Sequence, residues 1–185
     1  MKAMRSTIGL LIVLSLLAAP LGCAISGVQV LGTPRIPAKE GTSSNWSGYA
    51  VYAATSKKSQ SELWTYVSGT WTVPIVSEPA NSYSSIWVGL DGHSGNTVEQ
   101  LGTEQDLNSA GVDTYSAWYE MYPAMSVPIS YAVSPLDSMT AEVQYTSRKQ
   151  FLLTLTDNTK HWTFQIAKTS GSAKRSSAEW IVEAP

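Results

Sequence analysis

Cysteine is almost absent from this chain, with Cys23 the only one in 185 residues. An internal disulfide is therefore excluded, and beyond residue 23 there is no cysteine metal ligand and no thiol nucleophile. Histidine is nearly as scarce, with only His93 and His161. The His-Glu-x-x-His zinc helix does not occur, and few imidazoles remain for general-base work. Only 14% of residues are charged and the formal net charge is −2. That balance gives no electrostatic footprint for nucleic acid and no basic stripe for an anionic membrane surface. Phosphate-cradling glycine loops and dinucleotide fingerprints are missing too. The Asp-Thr/Ser-Gly triplet of aspartic proteases is absent, since Asp91-Gly92 runs on into His93. Gly92-His93-Ser94-Gly95 lacks the Gly-x-Ser-x-Gly spacing of a nucleophile elbow and reads as a turn. Two histidines leave a Ser/His/Asp triad formally open, but nothing marks its serine.

Against two Phe stand seven Trp and nine Tyr. These side chains join a large apolar body to a polar handle, which suits strands and substrate clefts alike. The length fits one domain with its own core.

At the N-terminus, Lys2 and Arg5 precede an apolar run over residues 8–19. A basic segment followed by a short apolar one is the pattern of a secretory signal peptide, assigned here to residues 1–23. The run is shorter than the ~20 residues a spanning helix needs. Leu21-Gly22-Cys23 also resembles a lipidation site, which would anchor an exported chain through Cys23. Residues 24–43, with Gly27, Gly32, Pro34, Pro37 and Gly41, read as a linker or short pro-segment.

From residue 44 the pattern is strand after strand, with no helical periodicity. Strands are expected over residues 63–73, 85–90, 97–102, 114–122, 139–146, 151–156, 161–168 and 177–183, most of them separated by Gly/Asn/Asp/Ser/Pro clusters. Many short, evenly spaced strands argue for an antiparallel sandwich or barrel. Alternation places Trp87, Gly89 and Asp91 on one face, and Trp118 and Glu120 together on another. Glu179 falls opposite Ala178, Trp180 and Val182. A carboxylate flanked by aromatics suits a solvated face or a groove better than a dry core.

Six segments, in order, resemble the eqolisins, or glutamic peptidases. They are Ser44-Asn45-Trp46-Ser47-Gly48, Ser68-Gly69-Thr70-Trp71-Thr72-Val73-Pro74, Trp87-Val88-Gly89-Leu90-Asp91-Gly92, Gln100-Leu101-Gly102, Tyr115-Ser116-Ala117-Trp118-Tyr119-Glu120-Met121-Tyr122-Pro123 and Ser177-Ala178-Glu179-Trp180-Ile181-Val182-Glu183. The resemblance covers essentially all of residues 44–183. It implies a lectin-like β-sandwich of two curved antiparallel sheets with substrate across the concave face. It also implies an acid endopeptidase acting on polypeptides, with no metal or cofactor and no sensitivity to pepstatin; secretion is expected from the N-terminal pattern, and a monomer is expected. By motif, Gln100 and Glu179 match the catalytic pair. Trp46, Trp87, Asp91, Trp118 and Glu120 match residues that shape or buffer the substrate site.

That chemistry fits the residue types. Metal-free hydrolysis needs a base for water and donors for the developing oxyanion. Glu179 can take the proton and return it to the leaving amine, while the Gln100 amide both donates and accepts. Closely spaced carboxylates resist joint ionisation, so Asp91 and Glu120 are expected to influence Glu179. Two departures stand out. Ser116 occupies a position where the family often has an acid, and family members continue through further strands where this chain ends at Pro185. The resemblance therefore implies a sandwich incomplete at its C-terminal end. The alternative reading is a non-catalytic sandwich binding carbohydrate or peptide. Asn45-Trp46-Ser47 is formally a glycosylation sequon, read here as part of the motif, since a glycan beside Trp46 would crowd the cleft.

Overall fold

The computed structural model describes residues 41–52, 63–77, 79–93 and 95–184. The expected signal segment, Cys23 and nearly all of the linker lie outside the described residues. Among those described there are ten strands and no helix. They are β1 (Trp46–Tyr52), β2 (Tyr66–Thr72), β3 (Ser82–Asp91), β4 (Val98–Leu107), β5 (Asp113–Tyr122), β6 (Val127–Ile129), β7 (Ser138–Ser147), β8 (Gln150–Asp157), β9 (Trp162–Thr169) and β10 (Ser177–Glu183).

They form two antiparallel sheets, six strands in the order β1-β10-β3-β4-β5-β6 and four in the order β2-β7-β8-β9. The all-β sandwich expected from strand spacing is the fold observed. Strands β1 and β6 are additions to the expected list.

Alternation explains how the sheets meet. On β8, Phe151, Leu153 and Leu155 are fully buried while Leu152, Thr154 and Thr156 are only half-buried. On β4 and β3, Leu101, Val88 and Leu90 face the same core, which continues through Met139, Ala141 and Val143 of β7. Each large apolar side chain buried this way stabilises the fold by ~1.5–3 kcal/mol. Two indoles fix how the sheets face each other. Trp180 Nε1 on β10 donates to the Ser68 carbonyl on β2 at 2.7 Å. Trp71 Nε1 on β2 donates to Thr103 Oγ1 on β4 at 3.0 Å.

Strand β10 is the last in sequence but lies between β1 and β3, one strand in from the edge of the larger sheet. That insertion carries Glu179 next to residues about eighty positions earlier. The site depends on it.

Candidate active site

In the larger sheet Glu179 pairs with Gly89, Gly89 with Gln100, and Gln100 with Glu120. Cross-strand partners project from one face. Glu179, Gln100 and Glu120 therefore form a row across β10, β4 and β5, on the face opposite Leu101 and the core. Gly89 stands between the two expected catalytic side chains. A Cβ there would lie 3.0 Å from Val98 Cγ1 and 3.2 Å from both Gln100 Cβ and Trp87 Cζ3. Glycine at this point keeps the space between acid and amide clear.

Glu179 is fully buried, and its Oε1 accepts the His93 backbone N–H at 3.2 Å. Its Oε2 has no hydrogen-bond partner among the described residues. Gln100 Nε2 donates to Glu120 Oε2, and Gln100 Oε1 is likewise buried without a partner. Burial is the main cause that pushes the Glu179 carboxyl up to about 8. The nearby Ser177 hydroxyl and the His93 amide pull the other way, while the charges of Asp91 and Glu99 add to the rise. Burial also raises Glu120, opposed by its bond to Gln100 and reinforced by Glu183.

The turn after β3 delivers the His93 amide. Asp91 (φ 66°) and Gly92 (φ 116°) both lie in the left-handed region. Aspartate tolerates it better than most residues, and glycine accepts it freely. A Cβ on Gly92 would also stand 3.0 Å from Val98 Cγ2 and 3.3 Å from Trp46 Cη2. Past the turn, the His93 ring stacks on Tyr52 of β1, with centroids 4.0 Å apart.

The peptidase A4 family matches residues 44–185. The chain belongs to that family. Scytalidopepsin B of Scytalidium lignicola is 30% identical over 163 residues, which are 85% of this chain and 58% of that protein. Aspergillopepsin-2 of Aspergillus niger is 29% identical over 167 residues, covering 76% of this chain and 56% of its own length. The chain thus spans little more than half of these curated relatives. Among solved structures, scytalido-glutamic peptidase with a transition state analog inhibitor superposes with a TM-score of 0.64 at 30% identity. That match covers 75% of this chain and 64% of the other.

Within this peptidase A4 chain the expected site residues divide in two. Gln100, Glu179 and Glu120 come together in one row. Trp46, Trp87 and Trp118 gather beside it in a second apolar cluster with Val98 and Ile181. Trp46 and Trp87 meet edge to face at 5.0 Å. The indoles differ from an open substrate platform, since Trp87 and Trp118 are only 1% and 8% exposed. They pack on either side of Gly102, where a Cβ would come within 2.7 Å of Trp87 Cβ. Trp87 and Trp118 thus build the floor beside the row, and Trp46 remains half-exposed at its edge.

Asp91 is fully buried, and its charge acts on Glu179 as expected, but its oxygens are taken up by other donors. Its carboxylate accepts the backbone N–H groups of Lys174, Arg175 and Ser176 at 2.8, 2.7 and 2.6 Å, and the Ser176 hydroxyl at 2.9 Å. The left-handed φ rotates its side chain out of the alternation that Trp87 and Gly89 follow. Asp91 therefore secures the segment leading into β10.

Sequence reasoning missed Glu183 and the His93 amide. Glu183 accepts Trp87 Nε1 at 3.0 Å and Asn45 Nδ2 at 2.8 Å. The signal for Glu183 was present, because alternation puts it on the Glu179 face. The sequon amide of Asn45 is held by this contact. No residue pattern marks the backbone donor of His93, which depends on the turn alone.

Proposed function

We propose that this chain is a glutamic endopeptidase, cleaving polypeptides with a water activated between Glu179 and Gln100. One observation carries the reading. Two buried oxygens without hydrogen-bond partners among the described residues, Glu179 Oε2 and Gln100 Oε1, stand in one row of the sheet with only Gly89 between them. A water donating to both would turn its lone pair outward, toward a peptide lying over the sheet. Ionised Glu179 takes the proton as the water oxygen attacks the scissile carbonyl carbon. The Gln100 amide donates to the oxyanion that forms, and Glu179 returns the proton to the leaving nitrogen as the C–N bond breaks. Burial is the largest cause of the raised Glu179 value. Water entering beside Oε2 relieves that desolvation and brings ionisation back toward the acid range.

The same reading includes an acid working range, insensitivity to pepstatin, no metal, and a monomer. Acid operation is supported by the buried carboxyls, which favour the folded state at low pH. Export is proposed from Lys2, Arg5 and the apolar run after them, with Cys23 as an alternative anchor point.

The test is cleavage of an unfolded protein substrate from acid to neutral pH, with pepstatin present, comparing wild type with Glu179→Gln. Acid-range cleavage is expected in the wild type, with loss of ~10³-fold or more in the variant. Equal cleavage by both would remove Glu179 from the mechanism. Peptide bound but uncut by both would support the binding sandwich instead.

A further inference from the structure

A second carboxyl lies behind the site, and the mechanism above does not use it. Glu99 precedes Gln100 on β4, so its side chain points the opposite way, into the space between the sheets. It is fully buried, and neither of its oxygens receives a hydrogen bond from a donor meeting ordinary geometry among the described residues. Its cross-strand partner is Leu90, next to Asp91. Asp91, whose left-handed φ turns its carboxylate out of the strand alternation, and the Ser170 hydroxyl both lie near enough to Glu99 to act on its ionisation.

Two carboxyl groups bond to each other only when one carries a proton. Asp91 already accepts four donors from residues 174–176, as a carboxylate does. Glu99 has no comparable set. The proton therefore belongs on Glu99.

The other charged groups around the pair agree. Glu179 on β10 is a further acid, and a charge on Glu99 would oppose its ionisation. On the segment before β10, the Arg175 guanidinium sits over the Tyr145 ring, 3.9 Å from its centroid. At the end of β9, Lys168 Nζ lies 5.4 Å from the centroid of Tyr119. Neither cation pairs with Glu99. The one ion pair found among the described residues joins Lys160 to Asp137. Burial accordingly pushes Glu99 up to about 8, with the Asp91 charge adding to the rise and the Ser170 hydroxyl opposing it.

We propose that Glu99 is a positioning residue: its neutral carboxyl donates to Asp91, and the pair holds residues 174–176 and the start of β10 where Glu179 meets His93 and Gln100. Nothing is consumed in this arrangement. When Glu99 ionises, a second negative charge stands against Asp91 and the clamp on β10 loosens. The role in cleavage rests on the peptidase reading, whereas the shared proton does not.

Glu99→Gln and Glu99→Leu in the full chain separate the possibilities. Glutamine keeps a donor to Asp91 at every pH, and leucine keeps the approximate volume without one. Infrared spectra at neutral pH should show a protonated-carboxyl band in the wild type that weakens in Glu99→Gln. The denaturation midpoint should fall less steeply between acid and mildly alkaline pH in Glu99→Gln than in the wild type. Cleavage should persist in Glu99→Gln, while Glu99→Leu lowers kcat by about tenfold or more with KM little changed. An unchanged carboxyl band, or the same midpoint slope in wild type and Glu99→Gln, would overturn the proposal. If Glu99→Leu does not fold, the Glu99→Gln arms still decide. If wild type cuts nothing, the peptidase reading fails while the spectroscopic and stability arms remain decisive.

Discussion

Glu179 and Gln100 are held on strands either side of β3, and the residue between them has no side chain. Gly89→Ala places a methyl group 3.2 Å from Gln100 Cβ and 3.0 Å from Val98 Cγ1, closer than packed carbons ordinarily come. The amide is expected to move, lowering kcat by ~10-fold or more while overpacking costs about 1–3 kcal/mol. Steady-state kinetics beside a denaturant titration checks both. Gln100→Ala leaves the Glu179 carboxyl in place but removes the oxyanion donor, with an expected loss of ~10²–10³ in kcat and little change in fold. Activity near wild type in Gln100→Ala would show that the oxyanion is stabilised elsewhere. At this scale the sequence was informative about type. Glu179, Gln100, Glu120 and the three Trp were singled out while Glu183 and Glu99 were missed, and alternation grouped Trp118 with Glu120 correctly. It failed at Asp91, because one left-handed φ redirects a side chain and no residue pattern fixes φ.

Among the elements, the hairpin joining β7 to β8 shows a local rule broken. Its two loop residues, Arg148 (φ 47°) and Lys149 (φ 65°), both adopt left-handed conformations. Such a turn favours Asn-Gly, because side chains beyond Cβ are strained there. Arg148→Asn combined with Lys149→Gly is expected to stabilise the domain by ~1 kcal/mol or somewhat more, read as a raised denaturation midpoint with cleavage unchanged. A fall in midpoint would mean that the freedom glycine adds to the unfolded chain outweighs the strain relieved, since the backbone N–H bond to the Tyr145 hydroxyl, at 3.3 Å, survives the substitution. Most strands were legible from alternation, with ends shifted by a few residues. Strand β6 escaped because three residues, one of them Pro128, carry no usable period. Strand β1 holds Gly48 and exposed Tyr49, so it lacks a clean apolar face.

For the whole molecule, pH is the informative variable. Glu99 and Glu179 each rise from an ordinary value of 4.5 to about 8 on burial. Between those values the unfolded chain has released both protons, whereas the folded chain keeps the one on Glu99 and, wherever water does not reach Oε2, the one on Glu179. The unfolded state then binds fewer protons, so folding stability falls as pH rises through this window. Each group contributes on the order of 1 kcal/mol per pH unit. Glu104, Asp106 and Glu120 are raised as well, chiefly by burial, and tilt the balance the same way. Denaturant midpoints should therefore climb as pH is lowered from about 8 toward 4.5, the reverse of ordinary acid denaturation. A midpoint that drops steadily over that range would show these carboxyls to be ionised in the folded protein.

The amino-acid sequence by itself determined the strand-rich architecture, the family, and the side chains available for hydrolysis. Each of these depends on local alternation or on short motifs that neighbouring residues spell out. Only the tertiary structure decided which of those side chains meet. Placing β10 between β1 and β3 sets Glu179 across Gly89 from Gln100, a pairing between residues 79 positions apart in the chain. The same packing buries Glu99 against Asp91 and puts the His93 amide on Glu179. Burial and close approach between distant strands set the protonation of these acids, and neither is written in any local stretch of sequence.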